Sequence, residues 1–102
     1  LPTEDLALAD RFFFRFDDGG EIVGYGGIER CDGDGLIRSV VVLPRHRGRG
    51  VGSGVVGSLM GEARRQGLAR LYLFTETAAP FFGKFGFRAI ARAEAPPAIK
   101  AT

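Results

Sequence analysis

The feature that most constrains this chain is a strand–turn–helix–strand unit in its second half. Residues 36–43 form an almost continuously apolar stretch that runs into the basic, glycine-rich residues 44–52. Apolar residues then recur at helical spacing, and a second apolar stretch follows at residues 70–75. Two strands joined through a helix lie parallel, with a right-handed crossover. The sequence therefore predicts one pair of parallel strands.

The rest of the chain is predicted to form hairpins followed by shorter elements. Residues 11–16 have the aromatic content of a strand. Residues 17–20 (Asp-Asp-Gly-Gly) are typical of a turn into a partner strand at residues 21–29. We also expect a loop with a helical turn at residues 1–10, a turn at 31–35, a helix at 78–85, a final strand at 87–92 and no regular structure from 95. The order β-β-β-α-β-α-β predicts an α/β (α+β) fold.

The predicted helix after the basic turn contains three glycines, which are Gly54, Gly57 and Gly61. Each glycine in a helix costs about 1 kcal/mol relative to alanine. We expect close packing of the helix on the sheet to compensate for this cost.

Composition limits the classes of function. An apolar fraction of 45% with nine phenylalanines predicts one packed domain. No apolar run reaches the roughly 18–20 residues of a membrane span, and the polar, acidic start does not resemble a signal peptide. The single Cys31 excludes an internal disulfide, which favours the cytoplasm. The Asp-Gly-Asp-Gly run at residues 32–35 lacks the length of a calcium-binding loop, so no metal is predicted.

Charge is divided unevenly along the chain. Residues 1–36 carry nine acidic and three basic side chains, whereas residues 37–102 carry three acidic and eleven basic ones. This asymmetry predicts an anionic partner for the second half. The charge alone does not separate a nucleic acid from a phosphorylated cofactor.

The basic turn has the features of a phosphate site. Gly48, Gly50 and Gly52 leave the backbone N–H groups unshielded by side chains, and arginines alternate with them. The helix that follows directs its free N–H groups and the positive end of its dipole to the same place. The turn therefore predicts a phosphate-binding cradle.

Two motifs together resemble those of a known family. The first is Arg-x-x-Gly-x-Gly at residues 47–52 after the Val-Val-Val-Leu-Pro segment, and the second is Ala-x-x-Phe-Phe-x-x-x-Gly-Phe at residues 78–87. Over residues 12–92 the chain resembles the GCN5-related N-acetyltransferase (GNAT) family. Within the family, residues 36–40, 70–73 and 95–102 are similar to acetyltransferases associated with arsenic-resistance operons.

The resemblance implies a single domain over residues 1–102 with a mixed, mostly antiparallel sheet. A splayed parallel pair of strands would lie at its centre, flanked by helices. The usual strand and helices before the first hairpin, and the usual closing strand, have no counterpart here, so we expect a truncated version. Because open sheet edges pair with other chains, we also expect a homodimer.

The resemblance further implies that acetyl-CoA is the co-substrate, without a metal. The first strand of the parallel pair would bulge at residues 40–42 and pair with the pantetheine arm, while the turn would bind the pyrophosphate. Any of three residues could bind the adenosine 3′-phosphate: Arg45, His46 or Arg49. The expected cofactor contacts are Val40, Val41, Val42, Arg47, Gly48, Arg49, Gly50, Val51, Gly52, Ser53 and Phe82.

The implied reaction is direct attack of a small-molecule amine on the thioester. Glu29 is either the general base, acting through water, or an ordinary carboxylate at a strand end. The backbone N–H of Val41 is the expected donor to the oxyanion, with Val42 as the neighbouring choice. Phe82 stands where many members have a tyrosine, and phenylalanine cannot protonate the thiolate. Either water or another group protonates it, or the thiolate leaves unaided, or catalysis is weak.

The acceptor amine is expected near the carboxyl ends of the parallel strands, where ligands of open sheets bind. The candidate substrate contacts are Arg38, Ser39, Thr75, Glu76 and Thr77. One alternative is a catalytically degenerate acetyl-CoA-binding domain. Another is a basic nucleic-acid-binding module, which is disfavoured because aromatic residues do not alternate with the arginines and the first half is acidic.

Overall fold

The structure is a computed structural model that describes residues 11–101. The helical turn predicted within residues 1–10, with Thr3 as its cap, lies outside the described residues. The elements are β1 (Arg11–Asp18), β2 (Glu21–Cys31), β3 (Asp34–Val42), a 3-10 turn (Pro44–His46), α1 (Val51–Arg65), β4 (Leu71–Tyr72), α2 (Ala79–Gly83), a second 3-10 turn (Arg92–Glu94) and α3 (Pro97–Lys100).

The described strands form one mixed sheet in the order β1-β2-β3-β4. β1, β2 and β3 are antiparallel neighbours, joined by tight turns at Gly19-Gly20 and Asp32-Gly33. All four turn residues have positive φ, between 55° and 86°, as the hairpin turns that match strand twist require. The mixed, mostly antiparallel sheet with helices is the architecture that the sequence predicts.

The parallel pair separates soon after it forms. β3 and β4 are paired only where Gly35 faces Leu71 and Leu36 faces Tyr72. The strand predicted at residues 70–75 is therefore a strand for two residues only. Beyond this point the rest of β3 has no strand partner on the β4 side within residues 11–101, which leaves a gap between β3 and β4 at one edge of the described sheet.

Helix α1 covers one face of the sheet. Its buried residues Val55 and Leu59 pack with Ile28 of β2 and Ile37 of β3. Burial of each such side chain contributes about 1.5–3 kcal/mol. The close approach comes from the strand: a Cβ on Gly26 would lie 2.8 Å from Cδ1 of Leu59.

The glycines of α1 do not make that approach. Gly54, Gly57 and Gly61 have no atom within 4 Å of the position that a Cβ would take. They lie on the side of α1 opposite Val55 and Leu59, so the prediction that they pack on the sheet is wrong. At the end of α1, a hydrogen bond from Arg65 lowers the pKa of Glu62.

The end of the chain covers the other face of the sheet. Ile99 of α3 is buried together with Ala95, Cys31 and Leu36. The prediction that regular structure ends at residues 95–98 is thus wrong, because α3 begins at Pro97, a favoured first residue of a helix.

The final strand predicted at residues 87–92 does not form. Residues 87–91 have no regular secondary structure, and a 3-10 turn follows at Arg92–Glu94. A strand needs a partner for its backbone groups. Among the described residues, β4 is paired only with β3, and no strand lies beside residues 87–91.

Candidate functional site

A β-bulge bends β3 before the basic turn. Tyr25 faces Val41 and Gly27 faces Arg38, so Ser39 and Val40 together lie opposite a single residue of β2. Ser39 has a left-handed backbone with φ of 57°, which is uncommon for a residue other than glycine. The predicted bulge exists, but its extra residue is at Ser39–Val40, one position before the predicted residues 40–42.

The glycine turn prepares the start of α1. Gly48 and Gly50 have φ of 78° and 77°, and Gly50 is the N-cap of α1. The first hydrogen bond of the helix runs from the N–H of Gly54 to the carbonyl of Gly50, at 3.2 Å. The N–H groups of residues 51–53 precede that bond and are free for a ligand, as the phosphate-cradle prediction requires.

Gly52 has a packing role that the sequence did not indicate. A Cβ at this position would lie 3.3 Å from Cζ of Phe81. The ring of Phe81 from α2 therefore rests against the first turn of α1. The Phe-Phe segment supports the helix end that carries the free N–H groups.

The basic side chains of the turn divide into engaged and free ones. Nε of Arg47 donates to the carbonyl of Val42 at 3.1 Å, which ties the turn to the end of β3. Arg45 and the buried His46 both contact Oε2 of Glu21, at 3.1 Å and 3.3 Å. Arg49 is exposed and has no ion pair within residues 11–101. It is the free cation among the three candidates for the 3′-phosphate.

A cleft opens where the parallel strands diverge. It is open to solvent and has a volume of about 310 Å³. Two of the predicted substrate contacts, Arg38 and Ser39, line it, and Phe74 forms the other wall. This cleft and the glycine turn lie at successive positions along β3, with the bulge between them.

Comparison with known proteins decides the family. Residues 2–87 match the sequence profile of the Acetyltransferase (GNAT) family. The chain belongs to this family. It is 32% identical over 82 residues to YobR and 35% identical over 78 residues to YjcF, two uncharacterised N-acetyltransferases of Bacillus subtilis (strain 168). Each alignment covers 76% of this chain, but only 33% of YobR and 56% of YjcF, so the chain spans between a third and about half of these relatives.

The GNAT fold is also found in solved structures. The crystal structure of a predicted acetyltransferase with acetyl-CoA, from Clostridium acetobutylicum, superimposes with a TM-score of 0.72. The match covers 85% of this chain and 64% of that one, at 20% identity. This likeness concerns the fold.

Glu29 of this GNAT chain lies beside the cleft and is not free. Its side chain is 12% exposed, and its Oε1 accepts a hydrogen bond of 2.6 Å from Nη1 of Arg38. Its Oε2 lies 3.7 Å from Nε of Arg11. The carboxylate predicted as the base is thus held between two guanidinium groups, one of which lines the cleft.

The remaining predicted substrate residues lie away from this cleft. Thr75 lines a larger cavity of about 840 Å³ on the outer side of β4. Its Oγ1 accepts a hydrogen bond of 3.0 Å from the N–H of Ala78, just before α2. Glu76 and Thr77 are exposed and line neither cavity.

Phe82 lies in an aromatic cluster. Its ring makes edge-to-face contacts with Phe81 and Phe87, at centroid distances of 5.1 Å and 5.9 Å, and lines the larger cavity. It offers no proton donor. Of the two phenols, Tyr72 packs against the Leu36 cluster, whereas Tyr25 faces Val41 beside the bulge.

None of the helices between residues 11 and 101 is long and apolar enough to cross a membrane. Over the same residues, no group of three or more His, Cys, Asp or Glu side chains is arranged to hold a metal ion.

Proposed function

We propose that this chain transfers the acetyl group of acetyl-CoA to the amine of a small molecule. The observation that carries the proposal is the order of three features along β3: the cleft, the bulge and the turn with free N–H groups at the start of α1. An extended ligand that follows β3 would meet these three features in this order, which supports the proposal. We propose the cytoplasm as the compartment. We also propose an association with arsenic resistance, on the similarity at residues 36–40, 70–73 and 95–102.

In this proposal acetyl-CoA lies along β3. The N–H groups at Gly48, Gly50 and residues 51–53 bind the pyrophosphate, because anions are stabilised at helix N-termini. Residues 40–42 pair with the pantetheine arm, and the thioester enters the cleft. Arg49 binds the 3′-phosphate, since Arg45 and His46 are engaged by Glu21.

The amine nitrogen attacks the carbonyl carbon of the thioester, and the C–S bond breaks as the thiolate leaves. The N–H of Val42, the neighbouring choice, donates to the developing oxyanion, because Val41 faces Tyr25 and its N–H points toward β2. The proton lost by the amine passes through water to Glu29. Water protonates the thiolate, because Phe82 has no proton to give.

A catalytically degenerate domain that binds acetyl-CoA is the second candidate. Two observations favour it: Phe82 lacks a hydroxyl, and both oxygens of Glu29 have arginine partners. A nucleic-acid-binding role is not proposed. Two of the arginines that it needs, Arg45 and Arg47, are engaged by Glu21 and the Val42 carbonyl.

The test is thiol release from acetyl-CoA in the presence of a broad panel of primary amines. We expect release that depends on the amine and saturates with it. Binding of acetyl-CoA without amine-dependent release would support the degenerate domain instead. If the chain does not bind acetyl-CoA, both the acetyltransferase and the degenerate binding domain are excluded.

A further inference from the structure

Building on the proposed acetyl transfer, we propose that the acceptor is a primary amine that also carries an anionic group, a carboxylate or a phosphonate. Arg38 binds that group by giving up its ion pair with Glu29. The site is the cleft beside the bulge.

Arg38 is placed to reach a ligand in the cleft. It is a lining residue, and its side chain is 47% exposed. One nitrogen, Nη1, bonds to Glu29 at 2.6 Å. A guanidinium has further N–H donors in a fixed fork that matches carboxylate and phosphonate oxygens. The remaining donors of Arg38 have no partner within residues 11–101, so they are available to an anion.

The charge balance around the cleft is positive. Arg11 and Arg38 share the single carboxylate of Glu29. Phe74, on the opposite wall, carries no charge, so this shared carboxylate leaves one positive charge in excess. An anion in the cleft therefore meets excess positive charge, whereas a neutral alkyl chain gains nothing from it.

The exchange links binding to proton transfer. While Arg38 donates to Oε1 of Glu29, one of the two acceptor positions of that oxygen is occupied. When the anionic group of the acceptor takes Arg38, that position becomes available to the water molecule that carries the proton of the amine. The anionic group thus both positions the acceptor and frees the base.

The test compares kcat/KM for ω-amino acids and ω-aminoalkylphosphonates with that for alkylamines of the same length. For the unaltered chain we expect the anionic amines to be preferred by about 10- to 100-fold, the effect of a hydrogen bond to a charged group. In Arg38→Gln the preference disappears: anionic amines lose activity, and alkylamines keep or gain it. The two anions separate carboxylate from phosphonate recognition.

Arg30→Gln is the matched control. Arg30 lies next to Glu29 on β2 but bonds, at 3.4 Å, to Gln66, the residue that follows α1 on the opposite face of the sheet. This variant removes the same charge and should keep the preference. Arg38→Lys keeps the charge but lacks the planar set of N–H donors of a guanidinium, so it should show an intermediate preference. This variant replaces Arg38→Gln in the test if Arg38→Gln does not fold.

Three outcomes would overturn the inference. Equal use of both amine classes by the unaltered chain excludes it while leaving acetyl transfer intact. An equal loss for both classes in Arg38→Gln and Arg38→Lys would assign Arg38 a structural role. Absence of thiol release with every amine would remove the proposed function, and this inference with it.

Discussion

Arg49 is the residue on which recognition of the 3′-phosphate depends. We expect Arg49→Gln to weaken acetyl-CoA binding by about tenfold, because a charge-assisted hydrogen bond is lost. Calorimetric titration checks this result. Arg45→Gln is the control and should have a smaller effect, because Arg45 already pairs with Glu21.

Dephospho-CoA, which lacks the 3′-phosphate, makes the Arg49 prediction specific. The unaltered chain should bind it more weakly than CoA, and Arg49→Gln should bind the two equally. If Arg49→Gln still distinguished them, the 3′-phosphate would lie elsewhere.

Substitution of Glu29 distinguishes a catalytic from a structural role of this partly buried carboxylate. If it is the base, Glu29→Gln lowers kcat by about 100-fold or more and leaves the Kd of acetyl-CoA unchanged. Glu94→Gln is the control, because Glu94 only caps its own turn by accepting from the N–H of Ala91. Unchanged turnover in Glu29→Gln, with a lower melting temperature, would make Glu29 an ordinary strand-end carboxylate.

The partners of Glu29 show why contacts between side chains on neighbouring strands cannot be predicted from the sequence. A regular hairpin turning at Gly19-Gly20 would place Arg11 opposite Ile28. A register shift between Phe16 and Asp17 moves Arg11 opposite Glu29 instead. A shift of one residue reverses the face of every side chain beyond it. The carboxylate was predictable, but its second guanidinium was not.

At the scale of elements, the glycines of the turn and of α1 should respond oppositely to alanine. Gly57→Ala, in open space on the outer side of the helix, should stabilise the fold by about 0.5–1 kcal/mol. Gly50→Ala should destabilise it by about 1–2 kcal/mol, because φ of 77° is strained for a residue with a Cβ.

Thermal unfolding measures both variants, and acetyl-CoA titration shows whether Gly50→Ala also weakens binding, as we expect. A destabilising Gly57→Ala would mean that the outer side of α1 is covered by something beyond the described residues.

The elements with local signals were predictable, and those that depend on partners were not. Both hairpin turns, α1 and the glycine turn follow from glycine placement and helical spacing. The strand at residues 87–92 needed a neighbour that the described chain does not supply. The helix α3 forms because Ile99 has a pocket against Leu36 and Cys31, which no local pattern reveals.

At the scale of the whole molecule, the exposed outer side of β4 indicates that two copies of the chain associate there. A cavity of about 840 Å³ lies there, and Phe74 and Ile90 on its lining are 50% and 42% exposed. Among residues 11–101 no strand pairs with this edge. We expect a homodimer that covers it, with twice the mass of the chain by light scattering.

Ile90→Glu should shift that mass to the monomer, because it places a charge in the proposed interface. Ile90 is exposed within one chain, so the fold should survive, as circular dichroism can confirm. A monomeric mass for the unaltered chain would contradict the dimer.

Part of the uneven charge of the sequence is neutralised by ion pairs between the acidic and the basic half of the chain. Glu21 from the acidic half pairs with Arg45 and His46, and Glu29 pairs with Arg38. Arg49 and the spare donors of Arg38 are left for ligands. The sequence showed the asymmetry, but only the fold separates the internally paired arginines from the available ones.

The most direct test of the proposed cofactor site is calorimetric titration of the unaltered chain with acetyl-CoA. We expect saturable binding at one site per chain with a Kd of about 1–100 μM, weaker at higher salt because the phosphates are bound by charge. Absence of binding at millimolar acetyl-CoA, in a chain shown to be folded, would contradict the assignment of the glycine turn and β3 as the cofactor site.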